Sequence, residues 1–116
     1  MALVLSGQVV LFRFPQTDLN KGKLRPALLL APLPNSFGDW LACMVSSKKI
    51  QKLPQFDETI YSTDKDFTLS GLKSESVLRV TRVAVVSEKV FLGSLGSISS
   101  ERLQRIKKNL AAWILS

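Results

Sequence analysis

The 116-residue chain has no histidine, one cysteine and one tyrosine, and only nine carboxylate side chains against sixteen lysines and arginines. Without histidine the usual general base and the usual zinc ligand are both missing, so a serine-hydrolase triad and a histidine-bearing metal site are excluded. Cys43 alone cannot close an internal disulfide or build a multi-thiolate metal site, and its apolar neighbours mark it as a small buried hydrophobe. That cysteine usage implies a reducing, cytoplasmic setting. No apolar run reaches the ~18 residues of a membrane span, so no membrane partner is expected. The opening Met-Ala-Leu-Val-Leu-Ser is too short and too neutral for a signal peptide, and the chain reads as soluble and unprocessed. Six glycines and five prolines are too few for a collagen-like or disordered chain.

What is present suits a small β-rich fold. At this length one domain over residues 1–116 is expected, and the 46% apolar content can supply its core. Residues 8–14 are β-branched and aromatic and stop at Pro15, which predicts a first strand; residues 15–24 mix Pro, Asn, Asp and Gly into a polar loop. The apolar run 27–31 between Pro26 and Pro32 predicts a short strand buried on both faces, with Arg25 at its mouth. A turn over 32–39 precedes a third strand, 40–45, that runs into Ser46-Ser47-Lys48-Lys49. Phe56, Ile60 and Tyr61 suggest a short strand or two, 77–86 a longer strand with a bend, and 89–95 one more. The period then changes: Leu103, Ile106, Leu110, Trp113 and Ile114 recur at helical spacing, with Ser99 as cap, Glu101 near the positive end and Lys107 and Lys108 towards the negative end. Several strands and one closing helix imply a small, curled antiparallel barrel with the helix packed against it.

The formal charge of +7 points to an anionic partner, of which nucleic acid, RNA or DNA, is the commonest. It is unevenly spread. Lys21, Lys23, Arg25, Lys48, Lys49 and Lys52 crowd the ends of two successive strands, whereas Asp57, Glu58, Asp64, Asp66 and Glu75 form an acidic middle. On the helix, Arg102, Arg105 and Lys108 fall mainly opposite the apolar stripe, where they would serve solubility. The two basic segments would form an anion-attracting groove if their strand ends share one side of the barrel; otherwise they are a solvated face.

Gly7-Gln8-Val9-Val10-Leu11 with Phe14-Pro15 and Thr17-Asp18-Leu19, followed by Lys23-Leu24-Arg25-Pro26-Ala27-Leu28-Leu29-Leu30, resembles the amino-terminal signature of PemK/MazF toxins of bacterial toxin-antitoxin systems. The resemblance continues through Ala42–Ile50, through Gly71-Leu72 and Ser76-Val77, and through Leu92-Gly93-Ser94-Leu95-Gly96 before the terminal helix. It implies an SH3-like barrel, a homodimer, a cognate antitoxin protein, and an endoribonuclease that cuts single-stranded RNA without a metal or other cofactor. It also implies that Arg25, of the Arg-Pro pair, and Ser46 are catalytic, with serine standing where the family has threonine. Serine keeps the hydroxyl and loses the methyl.

The chemistry of these groups is consistent with that role. Cleavage by the RNA's own 2′-hydroxyl builds negative charge on the phosphoryl oxygens, which a preorganised guanidinium fork can meet. Arginine is a poor acid or base near neutral pH, so Arg25 is expected to stabilise charge first and donate a proton second. Ser46 would orient the phosphate or the attacking hydroxyl, Ser47 and Lys48 would hold a neighbouring phosphate, and Thr17, Lys21 and Lys23 of the polar loop would contact RNA and become ordered on binding. Trp40 and Phe37 are either base-stacking platforms or core. Trp113 and Ile114 would suit a dimer interface. Two other readings stay open: a barrel that binds RNA or protein without catalysis, such as a decayed toxin or regulatory module, and toxicity directed at DNA or gyrase.

Overall fold

The computed structural model describes residues 4–13, 24–48 and 52–116. Six strands and two helices follow in the order β1 (Gln8–Arg13), β2 (Leu24–Pro32), β3 (Asp39–Ser46), β4 (Glu58–Ile60), α1 (Phe67–Ser70), β5 (Ser76–Ser87), β6 (Gly93–Ser97) and α2 (Ser100–Leu115). All the strands belong to one sheet, ordered β4-β5-β3-β2-β1-β6, and every neighbouring pair is antiparallel. The sheet curls into a half-barrel with β4 and β6 as its edge strands.

Irregular pairing helps it curl. Leu30 is an extra residue opposite β3, and Val80, Thr81 and Arg82 are extra residues of β5 between its pairings with Cys43 and Met44. Such insertions bend a strand and increase its twist. In β2, Ala27, Leu28, Leu29 and Leu30 are all buried, as their unbroken apolar run predicts. Val9, Leu28, Leu30, Cys43, Val45 and Leu78 pack on the inner face against Leu103, Ile106 and Leu110 of α2. On the other face Val10, Phe12, Ala27, Leu29, Ala42 and Met44 pack with Trp40, Phe91 and Val4.

The helix begins as its sequence predicts: the Ser99 hydroxyl accepts the Arg102 N–H at 3.2 Å, and Glu101 lies in the first turn. It runs further than the placement of its lysines implied, to Leu115, so Lys107 and Lys108 sit mid-helix and the last turn holds no basic residue. Three other boundaries differ. β2 starts at Leu24, ahead of the expected 27–31, because its first residues pair with β1, so Arg25 lies inside the strand rather than at its mouth. The strand expected over 89–95 is displaced to Gly93–Ser97, because the Ser87 hydroxyl accepts the Lys89 N–H and closes a 3-10 turn over Glu88–Val90. The irregular stretch after residue 50 supplies one strand, β4, and the four-residue α1, which the sequence did not announce.

The larger correction concerns Arg102, which is 6% exposed and serves as an ionic hub rather than a solvated cation. Its Nε donates to Asp66 at 2.8 Å, Nη1 to Glu58 at 2.7 Å and Nη2 to Asp64 at 2.9 Å. Arg105, on the surface, adds a 2.8 Å bond to Glu58, and only Lys108 of the three is simply exposed. Much of the acidic middle is therefore neutralised inside the molecule. No described helix is long and apolar enough to cross a membrane.

Candidate active site

The β2–β3 ladder ends at the Ala27–Met44 pair, although β2 continues back to Leu24 beside β1 and β3 continues forward to Ser46 beside β5. Pro26 has no N–H to extend the ladder. Beyond that last pair the two strands part, and a cleft of about 430 Å³ opens there. Leu24, Arg25 and Pro26 line it from β2, and Val45, Ser46, Ser47 and Lys48 from β3 and its exit. Arg25 and Ser46 each stand two residues past the last pair, one on each strand. Of the two strand-end basic segments, Arg25 and Lys48 thus meet at one cleft, whereas Lys49 lies outside the described residues.

Ser46 is buried, 6% exposed, and its Oγ accepts the Lys48 N–H at 3.1 Å. That bond turns the chain out of β3 and leaves Ser47 and Lys48 exposed at the rim. The proton of the Ser46 hydroxyl has no acceptor among the described residues. Arg25 is half-buried, and among the described residues no carboxylate pairs with it, with Lys48 or with Lys73. Thr17, Lys21 and Lys23 lie outside the described residues.

The opposite wall carries groups that the sequence reading did not assign to the site. Gly71, Leu72, Lys73, Ser74 and Ser76 line it, with Leu95 of β6 beside them. Lys73 brings a third cation, and Ser74 and Ser76 bring two more hydroxyls. A glycine turn followed by serines and a lysine just before a strand was the available signal, but nothing local says that this turn folds back over the ends of β2 and β3. The described lining holds three cations, four serine hydroxyls and no carboxylate. Such a surface can bind phosphate through charge and directed hydrogen bonds together.

The aromatic candidates are elsewhere. Trp40 is core, 7% exposed, with its indole N–H 3.4 Å from Glu88 Oε2. Phe37 is 73% exposed on the β2–β3 turn, at the far end of those strands from the cleft. Cys43 is fully buried, and burial, with the Asp57 carboxylate adding to it, pushes its thiol up to about 12. It is an inert core residue.

The fold and site define a small antiparallel half-barrel with a terminal helix packed on its inner face and a cationic, hydroxyl-lined cleft at its strand ends. The chain belongs to the family described as PemK-like, MazF-like toxin of type II toxin-antitoxin system, whose sequence model matches residues 5–114. No curated protein matches it significantly. Among solved structures, it is similar to the MazF of a MazE-MazF complex (Form-II) from Deinococcus radiodurans, at 25% identity and a TM-score of 0.71, over 94% of this chain and 93% of that one. MazF (Form-I) from the same organism aligns at 22% identity and a TM-score of 0.70 over 96% of each chain. An endoribonuclease in complex with its cognate antitoxin, from a mycobacterial species, shares the fold at 13% identity and a TM-score of 0.69, over 97% of this chain and 95% of that one.

Proposed function

We propose that this toxin is an endoribonuclease that cuts single-stranded RNA by using the substrate's own 2′-hydroxyl as nucleophile, with no metal taking part. One observation carries the reading: Arg25 and Ser46 sit at the parted ends of neighbouring strands and line a single cleft with Lys48 and Lys73, with no carboxylate in its described lining. The 2′ oxygen attacks the adjacent phosphorus, the bond from phosphorus to the 5′ oxygen breaks, and the products end in a 2′,3′-cyclic phosphate and a 5′-hydroxyl. The nucleophile's proton passes to water and the departing oxygen takes one up. Arg25 meets the charge on the non-bridging oxygens with its fork of N–H donors and can assist the leaving oxygen. Ser46 donates to the phosphate or to the attacking hydroxyl. Ser47, Lys48 and Lys73 hold neighbouring phosphates, and Thr17, Lys21 and Lys23 extend the RNA contact.

The toxin acts in the cytoplasm as a homodimer, with Trp113 and Ile114, 37% and 66% exposed, available for subunit contact. Its cognate antitoxin would cover the cationic cleft with an acidic segment. The test is incubation of the purified protein with single-stranded RNAs of varied sequence in excess chelator, with both new ends mapped. Cyclic-phosphate ends that vanish with Arg25→Ala, in a variant that melts like the wild type, are the expected result. Unchanged cutting by that variant removes Arg25 from the mechanism. RNA binding with no product over long incubation would favour the non-catalytic barrel, for which the missing methyl at Ser46 is the specific motive.

A further inference from the structure

The half-barrel is closed by a backbone contact instead of a strand pair. After β4 the chain forms α1, which packs on β6, the opposite edge of the sheet. Two glycines permit the approach. A methyl on Gly71 would overlap the carbonyl oxygen of Leu95, and a methyl on Gly96 would overlap the carbonyl oxygen of Leu69. Gly71 also ends α1 in the left-handed region, at φ 72°. Gly93, three residues earlier on the same strand as Gly96, faces open space.

This contact fixes the far wall of the cleft. Just before α1, the Asp66 carboxylate accepts the Ser99 N–H at 2.9 Å and Arg102 Nε at 2.8 Å. At its end the fully buried Ser70 hydroxyl donates to Phe67 O and accepts the Leu72 N–H, which aims the chain into Lys73 and Ser74.

We propose that Gly71 and Gly96 are positioning residues: their backbone contact sets the distance between the wall that carries Lys73 and Ser74 and the strand ends that carry Arg25 and Ser46, and so aligns the RNA phosphate for in-line attack. The proposal rests on the cleft's being the RNA-cleaving site. Gly96 gives the cleaner variant because it does not line the cleft.

Gly96→Ala is compared with Gly93→Ala for single-turnover cleavage and for the amide resonances of Leu72, Lys73 and Ser74. A misplacement of about 1 Å costs on the order of 100-fold. The expected result is a loss of that size in kcat with KM changed less than threefold, together with shifted wall amides, while Gly93→Ala behaves as wild type. Cutting by Gly96→Ala at the wild-type rate, or an equal loss in Gly93→Ala, overturns the proposal. If wild type cuts no RNA, the functional reading fails, and unshifted wall amides in Gly96→Ala would then overturn the positioning role by themselves. Should Gly96→Ala fail to fold, Asp66→Asn loosens the same wall from its other anchor without adding an atom. A lower kcat with shifted wall amides is expected there, and wild-type values for both overturn the proposal.

Discussion

Arg25 and Arg102 are the same side chain put to opposite uses. Arg102 is buried and held by Glu58, Asp64 and Asp66, each within 3 Å. Arg25 is half-buried at a strand end, with no carboxylate partner among the described residues. A guanidinium whose donors are filled from within can only bind the chain to itself, whereas one with donors facing a cleft can meet an outside anion. The acidic middle of the sequence explains the split, because three of its five carboxylates, Glu58, Asp64 and Asp66, are bound to α2, and none of the five lines the cleft.

The contrast can be tested from both sides. Arg102→Ala strands three carboxylates around a vacated site and is expected to cost about 3–5 kcal/mol, read as a lower midpoint in urea unfolding. A midpoint within error of wild type would show that the hub carries no stability. Arg25→Lys keeps the charge and loses the fork, so cleavage should fall by about 100-fold or more with stability unchanged. Near-normal cleavage by that variant would reduce Arg25 to a point charge.

Acid should weaken the clamped region. Burial by itself would push the Asp66 carboxyl up, but the bonds from Arg102 and from the Ser99 N–H outweigh it and hold the pKa at about 2, against 3.8 for the free group. The folded state therefore holds the proton less tightly than the unfolded one. The stabilisation, about 2 kcal/mol, is fully present above pH ~4 and is lost as pH falls towards 2. Asp66→Asn should flatten the stability profile in that window, and an unchanged slope would mean that another group titrates there. The smallest effects belong to the cleft rim. Lys48→Ala and Lys73→Ala should each lower the salt-dependence slope of RNA binding by about 0.7, the value for one phosphate contact on a single strand. A slope that stays the same would take that lysine off the phosphate path.

What the sequence disclosed follows the range of the forces involved. The strands over Gln8–Arg13 and Asp39–Ser46, the doubly buried run in β2, and the Ser99 cap are written in local composition and spacing, and they were legible. Arg25 and Ser46 were legible as strand-end residues, and the antiparallel register then brings them to one cleft. Arg102 was misread because the helix's own periodicity says nothing of carboxylates 36 to 44 residues away that come to cover it. Lys73, Ser74 and Ser76 were not assigned to the site for the same reason. Their place at the cleft depends on where α1 docks, and that depends on two glycines 25 positions apart whose contact has no local signature.

The thiol of Cys43 gives the molecule an internal clock for its own opening. Pushed to about 12 and sealed between the sheet and α2, it can meet a thiol-reactive reagent only when the core comes apart. As the chain's one cysteine, it makes the labelling rate in native buffer, at reagent concentrations high enough to outpace reclosing, a direct count of those openings, without denaturant and without knowledge of the substrate. The lifetime of the toxin's folded state can thus be measured on the unmodified chain, alone or with an antitoxin bound, from a single atom.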